Sequence, residues 1–304
     1  MKDLVALRLL RAVIWHIQSE RSPIYRAAWR PSRLRIPFGL IYLLLLLSFP
    51  LLRLLEMSSG VPFFIYRDQA LISVGLVSAA LISLLPYGTL TALTASGLSR
   101  LRLAQTWDMF LLTPAESHEV LTAVTAASIR PQWRAILGGL LLSALSSIGT
   151  AVVAALSLAA NGAWLWATLL IVLCMPLMYA RIQEVALSLL VGRRLSYVAP
   201  RSAFVLGMMS GIAVRLAVAV LALLLSGAAE GMAALSAEIV RLADILPSNA
   251  MLVGSALAIS MALLMGEFAL IALAPNLLSL LVALTIFGIR SALVRQLAQR
   301  TESA

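Results

Sequence analysis

Apolar side chains in this chain fall in long unbroken runs, separated by short polar gaps in which arginine collects. A run of about 20 apolar residues is what an α-helix needs to cross a bilayer, where backbone polar groups must be satisfied within the segment. The pattern predicts spans at 37–52, 70–93, 135–159, 163–180, 203–226 and 266–289. Residues 1–20 behave differently. At 100° per residue Leu7, Leu9, Leu10, Val13, Ile14 and Ile17 fall on one side and Arg8, Arg11, His16, Gln18 and Ser19 on the other. Such a helix lies in the headgroup plane, the other reading being a helix packed on another subunit.

Residues 250–289 are apolar apart from Glu267 and a few small polar residues, too long a stretch for one helix. Two full crossings there would carry Arg290, Arg295 and Arg300 to the outer side, against the tendency of basic residues to stay cytoplasmic. Residues 227–265 are therefore read as an outer re-entrant segment, with a seven-span chain as the alternative. The expected fold is an all-α integral membrane protein. It has six transmembrane helices, an N-terminal amphipathic interfacial helix and an outer re-entrant segment before the last span. The chain reads as one transmembrane domain over 1–304. Residues 1–35 form a cytoplasmic helix and basic collar, 37–93 spans one and two, and 94–134 a cytoplasmic coupling region. Residues 135–226 hold spans three to five, 227–265 the re-entrant segment and 266–289 span six.

Composition agrees. Hydrophobic residues are 62% of the chain, charged residues 12%, and mean hydropathy is +0.99. A soluble domain is roughly a quarter charged, so most of this apolar surface must face lipid or other helices. Nineteen of the 23 basic residues fall on one side of the expected topology and three on the other, with Arg215 inside a span. That asymmetry places both termini in the cytoplasm of a multi-pass protein of the cell (inner or plasma) membrane. It also assigns the net charge of +10 to loops beside anionic lipid rather than to nucleic acid. Cys174 is the single cysteine, which excludes an intrachain disulfide. Residues 1–35 hold eight basic side chains and no compact apolar core, unlike a cleavable signal peptide.

Familiar chemistry is missing from the sequence. The only lysine is Lys2, so a phosphate-cradling Gly-Lys loop is absent. His16 and His118 have no second ligand at metal-site spacing, and neither H-E-x-x-H nor G-x-S-x-G occurs. Arg215 and Glu267 are the charges read as lying inside spans or near their ends. They line a polar substrate path or pair with each other to fix helix packing. Arg181 and Glu184 are spaced i, i+3 and read as a structural pair.

One polar stretch interrupts the apolar pattern, Gln105-Thr106-Trp107-Asp108-Met109-Phe110-Leu111-Leu112-Thr113-Pro114-Ala115-Glu116. Thr113 can cap a helix, Pro114 suits its first position, and Glu116 completes a T-x-x-E capping box. Trp107, Phe110, Leu111 and Leu112 make an apolar knob for a soluble partner, with Asp108, Glu116 and Glu119 setting its orientation. Packing of the stretch against the N-terminal helix is the alternative.

This stretch resembles the loop between spans two and three in permease subunits of ABC transporters of the ABC-2 exporter family. Trp107-Asp108 matches the aromatic–acidic pair, Leu111-Leu112-Thr113-Pro114 the Leu-Thr-Pro turn, and Glu116 to Glu119 the acidic tail. Asp108 replaces the more usual Glu. The resemblance implies an ATPase-coupling role for Trp107, Asp108, Phe110, Leu111, Leu112, Thr113, Pro114, Glu116 and Glu119. It implies a separate ATP-binding cassette ATPase that holds the ATP and Mg, and a second permease chain, identical or paralogous. No cofactor and no catalytic residue is then expected on this chain. A membrane enzyme acting on lipid and a non-transporting scaffold or assembly factor are the competing classes.

Overall fold

The computed structural model describes residues 5–19, 25–26, 67–104, 106–107, 109, 112, 116–160, 162–225, 260, 262–273 and 275–302. The first predicted span, nearly all of the predicted re-entrant segment, and Asp108, Phe110, Leu111, Thr113 and Pro114 lie outside the described residues. Among the described residues all regular structure is helical. In chain order the helices are α1 (Val5–Ser19), α2 (Arg67–Leu103), α3 (Ser117–Ile129), α4 (Trp133–Ala160), α5 (Trp164–Val172), α6 (Cys174–Val198), α7 (Ala203–Leu225), α8 (Ala269–Leu273) and α9 (Leu277–Glu302). Short 3-10 turns, Arg130–Gln132 and Gly266–Phe268, lead into α4 and α8.

Among the described residues three helical stretches are long and apolar enough to cross a membrane: His118–Leu156, Cys174–Val198 and Leu277–Arg300. Their outward faces are apolar. On α4 Leu137, Leu141, Leu145, Val152 and Leu156 are exposed, and on α9 Leu277, Leu281, Leu284 and Ile289. Charge goes the other way, since Arg181, Arg193, Arg215, Glu267 and Arg290 are all buried. Apolar outside and charged inside is the reverse of a water-soluble bundle, and it marks a membrane protein.

The interior is organised around α2, which packs closely on both α6 and α7. Its second half is rich in small residues, Gly88, Thr89, Thr91, Ala92, Thr94, Ala95 and Gly97. A Cβ on Gly207 of α7 would stand 2.7 Å from the Ala92 Cα, and one on Gly211 2.8 Å from the Tyr87 carbonyl oxygen. The pair is spaced as G-x-x-x-G, a spacing that lets two helix backbones approach without intervening side chains. The hydroxyls of Thr89, Thr91 and Ser99 donate to carbonyls four residues back, Leu85, Tyr87 and Ala95, so α2 buries them at little cost.

Helices α4 and α7 fall close to the predicted spans 135–159 and 203–226. Two other predicted spans are broken. The stretch 163–180 divides into α5 and α6 around Leu173, because Pro176 lacks an amide hydrogen and its ring crowds the Val172 carbonyl. Pro176 instead occupies the first turn of α6, which then runs on to Val198, well past the predicted end. The stretch 266–289 divides at Pro275 and Asn276, where the Asn276 side chain accepts from the Ser279 amide to start α9.

The N-terminal helix differs in its environment. Ala6, Val13, His16 and Ile17 are buried, and α1 packs on α3, α6 and α9 of its own chain. The face predicted to be apolar is thus rotated. His16 points in, and Leu7 and Trp15 point out. The region 94–134 is likewise built into the bundle, for Val120, Val124, Ala127 and Ile129 of α3 pack with Leu90, Leu93 and Leu98 of α2.

Candidate functional site

Two places concentrate chemistry, the elbow between α2 and α3 and a charge cluster inside the bundle. At the elbow, α2 closes with Thr106, whose amide and hydroxyl both donate to the Leu101 carbonyl. Trp107 is half-buried and packs toward the core formed by α1, α2 and α3. The Arg102 guanidinium lies 5.1 Å from the Trp107 ring centre and 3.1 Å from that of Tyr197, and its Nη1 donates to Ser196 Oγ at 3.3 Å. Cation–π contacts of this kind are worth about 0.5–2 kcal/mol each. Arg102 therefore ties the elbow to the far end of α6. A second tie lies one turn away. Arg193 of α6, which is buried, donates to Thr125 and Thr122 of α3, each at 3.3 Å.

Trp107 thus faces the protein, and other side chains form the outward apolar tip. Leu112 is 86% exposed, Met109 70% and Leu103 55%. Glu116 and Glu119 are exposed beside them, with Glu116 paired to His118 at 3.0 Å. Thr113 and Pro114 of the predicted capping box lie outside the described residues. Helix α3 begins at Ser117 with Glu116 as its N-cap residue, and the Glu116 side chain makes no capping hydrogen bond.

The cluster is built on Glu184, midway along α6. Its carboxylate meets Arg181 Nη1 at 2.6 Å, Arg290 Nη1 at 3.3 Å and Arg215 Nε at 3.7 Å. Arg290 Nη2 also donates to Glu267, and Arg290 Nε to Gln183 at 3.1 Å. Backbone carbonyls complete the network. Gly266, with φ of +61°, ends the helical turn at 262–265 and leaves the last carbonyls without amide partners. Arg181 Nη2 donates to the Leu264 carbonyl, Arg215 Nη2 to that of Leu263 at 2.7 Å, and Ser147 to Leu264 at 2.5 Å. Arg215 Nη1 donates to the Ser83 carbonyl of α2 at 2.5 Å, beside the break that Pro86 makes in the helix ladder. Its guanidinium also lies 4.3 Å from the Tyr87 ring centre.

Arg215 and Glu267 therefore share one network without pairing with each other. Glu267 takes Arg290, and Arg215 turns to Glu184. The predicted Arg181–Glu184 pair forms, as the seed of a five-charge cluster. Sequence reasoning missed Arg290, Gln183, Tyr87 and Arg102. The sequence groups Arg290 with the cytoplasmic charges, but it is 4% exposed and belongs to the interior. Among the described residues no group of histidine, cysteine and carboxylate side chains could hold a metal ion. Comparison with family models, with curated proteins and with solved structures finds no match.

Proposed function

We propose that the chain is the membrane-spanning permease subunit of an ATP-driven exporter of ABC-2 type. It forms a substrate path as a dimer with a second permease chain and couples to a separate ATPase. In this reading six spans cross the cell membrane, an outer re-entrant segment precedes the last, and both termini are cytoplasmic. The observation that carries it is the elbow's construction. An exposed apolar tip of Leu103, Met109 and Leu112 is fastened through Arg102 and Arg193 to α6, the helix bearing Glu184. A tip that only filled space would need no such fastening. One that receives a push must pass it to a rigid element rather than yield.

The test is co-purification from neutral detergent. The wild-type chain should bring down a nucleotide-binding companion of roughly 25–35 kDa, the size of a domain of that class. Met109→Ala with Leu112→Ala should reduce its yield about thirtyfold in affinity, the cost of two anchors near 2 kcal/mol in total. Insertion and thermal stability should stay unchanged, because both side chains are exposed. Wild-type yield from the double variant would remove the elbow from the coupling surface.

A further inference from the structure

The cluster does not balance. Arg181, Arg215 and Arg290 face Glu184 and Glu267, so one cation is in excess among the described residues. The carbonyls of Leu263 and Leu264 offset at most about half a charge, the value for a complete helix end. A buried charge without a counter-charge is costly, and the usual remedy is a partner. Donors are also left over. The Nε atoms of Arg181 and Arg215 are buried and make no hydrogen bond, that of Arg215 standing 3.7 Å from Glu184, beyond hydrogen-bond reach.

Beside these groups lies a narrow crevice between α2, α6, α7 and α9. Its polar wall is Tyr87, Glu184, Ser188, Arg215 and Arg290. Leu187 and Val191 on α6 and Gly211 and Val214 on α7 form its apolar wall, on the side toward the α6–α7 connection. Positive excess at one end and an aliphatic wall along the other describe an amphipathic partner with a negative head. A single negative charge neutralises the cluster, whereas a second would leave the excess reversed.

We propose that this crevice binds the singly charged anionic head of an amphipathic molecule, a carboxylate or phosphodiester. Its head sits at Arg215 and its apolar part lies along Leu187, Val191 and Val214. That the molecule is cargo rests on the permease reading; that it binds does not.

The experiment measures saturable binding of labelled laurate to the full chain in phosphatidylcholine nanodiscs, against empty discs and without any ATPase. Laurate should bind, and neither dodecanol nor dodecyltrimethylammonium should displace it. Arg215→Gln should weaken binding about tenfold, the loss of one charge-assisted contact. Glu184→Gln should tighten it, because the positive excess grows. A purely structural cluster would lose binding in both variants alike, and that result overturns the proposal. So does absence of saturable binding to the wild-type chain, or displacement of laurate by equal concentrations of chloride or acetate, which would make the occupant a small counter-ion that needs no apolar tail. Phosphatidylglycerol in the disc separates two sources of the same head. Laurate retained against it supports a free amphipath, and laurate displaced by it supports a bilayer lipid in the same crevice. An ATPase complex that forms but binds no laurate sinks this site and leaves the permease reading standing. Laurate binding without an ATPase partner does the reverse.

Discussion

Arg290 of α9 closes on Glu267, which precedes it by 23 residues. A single straight helix would hold the two about 35 Å apart along its axis. Their contact requires the chain to reverse between them, and Pro275 and Asn276 interrupt the helix ahead of α9. Removing one partner of a buried pair strands the other charge. Arg290→Gln should therefore destabilise the protein by about 3–5 kcal/mol. Glu267→Gln in the same chain should recover part of that loss. Thermal unfolding of the four variants in one detergent gives the coupling directly, and additive effects would mean that the pair contributes nothing as a pair.

The contact of α7 with α2 makes a second prediction. Gly211→Val places three extra carbons where even a Cβ would meet the Thr91 Oγ1 at 2.7 Å and the Tyr87 carbonyl oxygen at 2.8 Å. Overpacking of this kind costs about 1–3 kcal/mol or more. Gly138→Val on α4, where a Cβ meets nothing within 4 Å, is the control and should be close to neutral. Equal melting temperatures for the two variants would refute the close approach.

The Arg102 tie can be cut alone. Arg102→Ala should leave the fold intact and loosen the elbow, so that amides around Thr106 and Glu116 exchange faster by the equivalent of about 1–2 kcal/mol. Wild-type protection at both ends would mean that Arg102 does not hold the loop.

Acid should weaken the seat of α1. Burial holds the His16 imidazole below its ordinary value of 6.5, with the Glu119 carboxylate opposing the shift. The folded state therefore favours neutral imidazole. As pH falls below about 6.5 the released helix takes up a proton that the docked one resists, so docking is strongest at higher pH and weakens toward acid. Hydrogen exchange over 5–19 at pH 7.5 and 5.5 should show the change, and His16→Leu should flatten it.

Topology can be read with thiols, provided the probes sit at exposed positions. Leu103→Cys, Val198→Cys and Gln299→Cys, each in a Cys174→Ala background, occupy exposed sites at the ends of α2, α6 and α9. All three should escape a membrane-impermeant thiol reagent in sealed cells. Labelling at 299 alone would support seven spans.

Helices α4 and α7 were legible in the sequence because each is an apolar run uninterrupted by proline. The breaks at Leu173 and at Pro275–Asn276 were not, since apolar residues continue on both sides and hydropathy does not register a turn. Pro176, Gly266 and the Pro275-Asn276 pair were the available signals, and proline and glycine carry more weight here than the apolar count around them. The cluster was half-legible. Spacing i, i+3 pairs Arg181 with Glu184, whereas Arg290 and Arg215 reach it from 106 and 31 residues further along. No local periodicity encodes such distances. The inward turn of Trp107 was hidden for the same reason, because its partner Arg102 is itself held by Tyr197 of α6.

The five charges emerge from synthesis in alternating sign: Arg181, Glu184, Arg215, Glu267, Arg290. A nascent chain that pairs each with its predecessor never carries more than one unbalanced cluster charge into the bilayer, although the finished group holds three cations. Exchanging Glu184 and Arg215 would keep the same five charges but stack two arginines ahead of any acid. Biogenesis would then meet a double positive charge that the native order avoids.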